Sequence, residues 1–143
     1  MKKIIFMGKS KSGKTTLCQK LHELAVSYRK TQAIEQYTNA IDTPGEYLEN
    51  RHYYAALIVT AADAKVIGVV ADPLEKETYI PPAFAMTFSR PVIGIITKIA
   101  LAGPTQISRA ETALKNGGIT KIFKLDSIEG IGLEPLFSYL EEV

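Results

Sequence analysis

Cysteine is almost absent from this chain of 143 residues. Cys18 stands alone, which excludes an internal disulfide framework or a cysteine metal site built from this chain. No apolar run approaches the roughly 20 residues that a bilayer-spanning helix needs. No block of like charge is long enough to act as a nucleic-acid or membrane tail, because 17 Lys and Arg against 15 Asp and Glu leave a formal net charge of +2. Internal repeats and low-complexity tracts are missing too, so nothing marks a linker. The expectation is one domain spanning 1–143, with one core burying roughly two-thirds of the unfolded surface. The Met1-Lys2-Lys3 start leads into a short strand-like run rather than a signal-peptide core, which points to a cytoplasmic protein with neither nucleic acid nor membrane as partner.

What is present is concentrated near the start. Gly8-Lys9-Ser10-Lys11-Ser12-Gly13-Lys14-Thr15 is a complete G-x-x-x-x-G-K-[ST] loop, placed after the apolar run Ile4-Ile5-Phe6-Met7 and before a helix-like segment. Inward-pointing amides in such a turn form an anion-sized nest, and the following helix directs its positive dipole end at the same spot. The ligand class is a nucleoside triphosphate, ATP or GTP, with Mg²⁺. Lys14 is expected on the β and γ phosphates, Thr15 on the metal, and the stretch from Gly8 to Thr16 around the phosphates. A flexible Lys/Ser/Gly surface turn is the bland alternative. Lys2, Lys3, Lys9, Lys11 and Lys14 crowd this end, and a phosphate site accounts for them better than a nucleic-acid tail does.

Apolar, β-rich runs recur at Lys3–Met7, Val66–Ala71, Val92–Thr97 and Ile122–Leu125, each followed by turn-like or helix-like sequence. This alternation predicts an α/β protein with a mostly parallel sheet. The runs at 66 and 92 are nearly uninterrupted Val, Ile and Gly, as expected of central strands covered on both faces. Helices are expected over about Lys14–Ser27, Glu49–Ala61, Thr105–Asn116 and Leu133–Glu142, the third stopped by Gly117-Gly118. Pro81-Pro82 and Pro91 bracket a loop with one helical turn at most. Cys18 is expected to pack as a small residue in the first helix.

A second motif is Ile41-Asp42-Thr43-Pro44-Gly45-Glu46, a D-x-x-G after an apolar residue. There Asp42 suits the surroundings of Mg²⁺ and the Gly45 amide suits the γ phosphate. Between the motifs, Tyr28-Arg29-Lys30-Thr31-Gln32 is polar and weakly periodic, the expected place for a mobile segment extending to Tyr37. Thr31 is the candidate second hydroxyl on Mg²⁺, with Thr38 as its rival and an ordinary loop threonine as the alternative.

At this point the chain resembles small phosphate-loop GTPases, and more closely the EutP/PduV family of ethanolamine and propanediol utilisation. The resemblance rests on the loop Gly8–Thr15, on Lys30-Thr31-Gln32-Ala33-Ile34-Glu35, on Ile41-Asp42-Thr43-Pro44-Gly45-Glu46-Tyr47 and on Thr97-Lys98, and spans nearly the whole chain. It implies a three-layer Ras-like fold, nucleotide and Mg²⁺ binding, and a role linked to bacterial microcompartments. Some family members are described as acetate kinases.

Base recognition departs from the GTPase pattern. GTPases read guanine with [NT]-K-x-D, whose Asp accepts two hydrogen bonds, whereas this chain has Thr97-Lys98-Ile99-Ala100. Losing such a partner removes discrimination of about ten-thousandfold or more, so weak base preference with ATP tolerated is expected. Lys98 is expected to lay its stem along the base. Ser127 falls in the later base-side loop, or is simply a turn or capping serine. Lys9 occupies the place of a lysine that some dimeric ATPases lend to a neighbour, although the glycines that follow it there are absent; a monomer or weak dimer is expected. Lys11 adds charge beside the phosphates or is solvated. Glu46 either orients a nucleophile or starts a helix, and Arg29 either neutralises charge in cis or is exposed.

Three functions follow: a switch with slow hydrolysis that binds a microcompartment shell or enzyme protein, a kinase acting on acetate or another carboxylate, and a structural component that binds nucleotide without turnover.

Overall fold

The computed structural model describes residues 4–8, 14–32, 40–42, 64–75, 80 and 82–142, with residues 15, 25–32, 40–42 and 142 described by their backbone alone. Five strands lie among them: β1 (Ile4–Met7), β2 (Ala40–Asp42), β3 (Val66–Ala71), β4 (Val92–Ile96) and β5 (Ile122–Lys124). Their order is β2-β1-β3-β4-β5, and every neighbouring pair is parallel. Three helices accompany them: α1 (Lys14–Gln32), α2 (Pro104–Asn116) and α3 (Leu133–Glu142). None is long and apolar enough to cross a membrane.

The sheet has a core on each face, which is why β1 and β3 carry apolar residues without alternation. Ile5, Met7, Ile67, Val69, Ala71 and Ile96 pack with Ala110 and Leu114 of α2. Ile4, Phe6, Val66, Val70, Ile93 and Ile95 pack on the other face with Leu17 and Leu21 of α1 and with Leu133, Leu136 and Leu140 of α3. Half-buried Cys18 joins that second cluster as a packing residue. Gly94 in β4 has a packing reason: a Cβ there would come within 2.9 Å of Leu114 Cδ1 and 3.2 Å of Ile119 Cγ2, so the strand's smoothness is what lets α2 sit close.

α2 begins one residue before the expected Thr105, with Pro104 at the first helical position, where its missing N–H costs nothing. The Gln106 side chain accepts a hydrogen bond from the Gly103 amide at 2.8 Å, fastening the entry to the helix. The Gly117 amide bonds back to Leu114 and Ala113, and Gly118 takes the left-handed conformation that ends the helix. The loop between the prolines holds a single 3₁₀ turn, Phe84–Thr87.

α1 is the main departure from expectation. Instead of stopping near Ser27 it continues to Gln32, because Tyr28-Arg29-Lys30-Thr31-Gln32 contains neither Gly nor Pro and Arg, Lys and Gln are good helix formers. Residues 28–32 are therefore the end of a 19-residue helix. The expected helix at 49–61 lies outside the described residues.

Candidate functional site

Burying a polar group is costly unless something completes it, so the buried polar side chains locate a site. Among the described residues these are Lys14, Asp72, Thr97, Asp126 and Ser127. All follow the carboxyl ends of strands: Lys14 opens the helix after β1, Asp72 follows β3, Thr97 follows β4, and Asp126 and Ser127 come just beyond β5. In an open parallel sheet the ligand crevice lies outside the carboxyl ends, where the strand order reverses. Here the chain steps from β1 to β2 on one side and then to β3 on the other.

The first corner of the edge is built from β1 and α1. Only 6% of Lys14 is exposed, and its Nζ donates to the Gly8 carbonyl at 2.7 Å. The ammonium thus lies against the residue that follows β1, at the amino end of α1, where the helix dipole favours an anion. Thr16 is half-buried in the first turn. Lys9, Ser10, Lys11, Ser12 and Gly13 lie outside the described residues, as do Thr38, Gly45 and Glu46, and Thr15 and Asp42 are described by backbone alone. Asp42 ends β2 in register with Phe6, two residues before Gly8.

The backbone of Thr31 lies in the last turn of α1, 16 residues beyond Thr15, where the sequence had suggested a loop.

The second corner joins the ends of β3, β4 and β5. Thr97 is buried and its hydroxyl donates to the Ala71 carbonyl at 3.4 Å. Lys98 adopts a left-handed backbone, φ 56°, and its Nζ contacts Asp72 Oδ2 at 2.6 Å, while Asp72 Oδ1 accepts the Leu74 amide at 2.9 Å. Asp126 reaches across to the loop after β4: its Oδ2 accepts the Ala100 amide at 3.3 Å and its Oδ1 the Glu129 amide at 3.0 Å. Its backbone pairs in both directions with Ile131, closing a tight turn. Gly132, φ 77°, is required there, since a Cβ would run into the Lys124 carbonyl and Leu125. Ser127 Oγ is fully buried and has no hydrogen-bond partner among the described residues.

Sequence reasoning missed Asp72 and Asp126. Both carry the same signal, an acidic residue directly after an apolar run, Val66–Ala71 for one and Ile122–Leu125 for the other.

The family model for ethanolamine utilisation and propanediol utilisation proteins matches residues 1–142. The chain belongs to the PduV–EutP family. It is 41% identical over 140 residues to the propanediol utilization protein PduV of Citrobacter freundii, covering 98% of this chain and 93% of that one. It is 32% identical over 142 residues to the probable acetate kinase EutP of Escherichia coli strain K12, covering 98% and 89%. Among solved structures, the FeoB G-domain of Methanococcus jannaschii matches with TM-score 0.65 at 15% identity, covering 99% of this chain and 96% of that one. Elongation factor SelB of Methanococcus maripaludis, in complex with the GTP analogue GppNHp, also matches with TM-score 0.65, at 22% identity. This chain spans about a third of SelB's length. The fold of this PduV–EutP family member is thus the Ras-like α/β fold of phosphate-loop GTPases.

Proposed function

We propose that the protein binds a nucleoside triphosphate with Mg²⁺ at the Lys14 corner and hydrolyses it slowly, in ethanolamine or propanediol utilisation associated with a bacterial microcompartment. The observation that carries this reading is the buried Lys14 ammonium, held on the Gly8 carbonyl at the amino end of α1. A charge sequestered from water at a helix start is complementary to a polyphosphate, and swinging Nζ from the carbonyl to a phosphate oxygen exchanges a neutral acceptor for a charged one. Family membership supports the metabolic setting, and the nucleotide analogue in SelB supports the ligand class.

In this reading α1 and Lys14 neutralise the β and γ phosphates, and the loop amides fix their position. Thr15 and Asp42 carry hard oxygen donors of the kind that suits Mg²⁺, one in the first turn of α1 and the other at the end of β2. The metal, when bound, would neutralise charge developing on the transferred phosphoryl group. Lys98 and Thr97 lie at the base end, and Gly45 and Glu46 complete the γ-phosphate side. The triphosphate state would bind a shell or enzyme protein, the chain itself being a cytoplasmic monomer or weak dimer.

The name of the Escherichia coli relative supports a second reading, transfer of the γ-phosphoryl group to acetate. Phosphate release measured with and without acetate, alongside acetyl phosphate, separates the two. Phosphate without acetyl phosphate supports hydrolysis, and acetyl phosphate formed in step with nucleoside diphosphate supports the kinase. Binding with no turnover of either kind leaves a structural component, and refutes both catalytic readings.

A further inference from the structure

We propose that Asp126 supplies the base-reading carboxylate that position 100 lacks, so that the protein selects guanine nucleotides through Asp126 and Ser127. The proposal rests on nucleoside triphosphate binding at Lys14. It replaces the weak base preference expected from Ala100.

Five observations carry it. Asp126 comes from 26 positions away in the chain, yet its Oδ2 stands 3.3 Å from the Ala100 amide, so a carboxylate borders residue 100 after all. The edge beyond β3, β4 and β5 has two buried carboxylates with different surroundings: Asp72 is neutralised by Lys98, whereas Asp126 accepts only the amides of Ala100 and Glu129 among the described contacts. An ionised carboxylate has about four acceptor sites, so about two remain. Two adjacent acceptors match a purine edge with two adjacent N–H donors, which is the N1–H and 2-amino edge of guanine. Adenine offers a lone pair at N1 and is repelled.

Next to it, the buried Ser127 hydroxyl has no partner among the described residues, a cost that a bound polar group would relieve. The sequence neighbours Leu101 and Ile128 leave 68% and 74% of their surface exposed at this edge, apolar area suited to the flat faces of a base. β4 and β5 lie two and three strands from β1, about 10 and 14 Å at the usual strand spacing, within reach of an extended nucleotide whose phosphates sit at Lys14.

Affinities of the intact chain for GTP, ITP, XTP and ATP test the assignment. Wild type should favour GTP over ATP by about 100-fold, and over ITP, which lacks the 2-amino group, by about 10-fold. Asp126→Asn should weaken GTP far more than ATP and shift preference to XTP, which carries a carbonyl where guanine has the amino group. Adding Ala100→Asp to that variant should restore the preference for GTP. Equal wild-type binding of GTP and ATP overturns the proposal while leaving the triphosphate site intact. Equal weakening of both nucleotides by Asp126→Asn, with a lowered melting temperature, also overturns it, making Asp126 a backbone brace. Should that variant not fold, the wild-type series still decides, since equal binding of GTP and ITP refutes the carboxylate reading. Wild type binding no nucleotide at all refutes the Lys14 site and this proposal together.

Discussion

The two corners of the sheet's carboxyl edge are built in opposite ways. At the first, Gly8 and Lys14 are six positions apart and a single strand-loop-helix unit brings them together. At the second, Asp72 meets Lys98 and Asp126 meets Ala100, each across 26 positions, and both contacts depend on β3, β4 and β5 lying side by side. The first corner is thus written in one short motif. The second is an assembly whose parts mean little separately, so a substitution in it is judged by what stands opposite rather than by what it replaces.

The comparison is broken most severely at Lys14. Lys14→Ala should abolish binding of every nucleoside triphosphate, by about 100-fold or more, because it removes a charge-assisted contact common to all of them. Calorimetric titration with GTP and ATP checks this. Selective loss of one nucleotide would mean that the two corners are not separate in function.

Gly132→Ala should act only on the second corner. Its left-handed φ and the collision of the new Cβ with the Lys124 carbonyl should cost about 2 kcal/mol or more of stability, read in denaturant unfolding. The turn from Asp126 to Ile131 should loosen with it, detected as faster amide exchange at Ile131. Unchanged exchange there would refute the link between this glycine and the turn.

Lys98→Met should cost about 2 kcal/mol, because it strands the Asp72 carboxylate, 6% exposed, without its cation. The companion Asp72→Asn/Lys98→Met should recover much of that loss in a double-mutant cycle. Additive losses would mean that the pair is not coupled.

The smallest effect lies away from the edge. Glu111 on α2 is held below its ordinary pKa of 4.5, first by hydrogen bonding to Lys124 and then by Lys115. A depressed carboxylate pKa contributes stability above the unfolded value, and that contribution is lost as pH falls through the folded one. Glu111→Gln should therefore leave a slightly flatter stability profile below about pH 4.5, and no difference in acid unfolding would show the surface pairs to be inert.

Much of the scaffold was legible because its signals are local. The Val and Ile runs of β3 and β4 cannot be satisfied except by cover on both faces, and α2 and α3 carry apolar periodicity with glycines or short loops at their ends. The end of α1 was not legible, since Tyr28–Gln32 continues the helix by backbone propensity without an apolar stripe to announce it. That boundary puts the backbone of Thr31 in the last turn of a helix, where the sequence had suggested a loop. The acidic residues after β3 and β5 stood in plain view, but nothing local distinguishes a strand-end aspartate that lines a site from one that begins a turn.

The sequence by itself determined that strands alternate with helices, that a glycine-bounded loop opens the first helix, and that position 100 has no carboxylate. Those are properties of short windows, set by periodicity and backbone geometry. Only the tertiary structure decided that Lys14 is buried on the Gly8 carbonyl, that Lys98 faces Asp72, and that Asp126 stands against Ala100. Parallel strands bring their ends together from distant parts of the chain, and which side chains become neighbours there depends on strand order and register rather than on any local pattern.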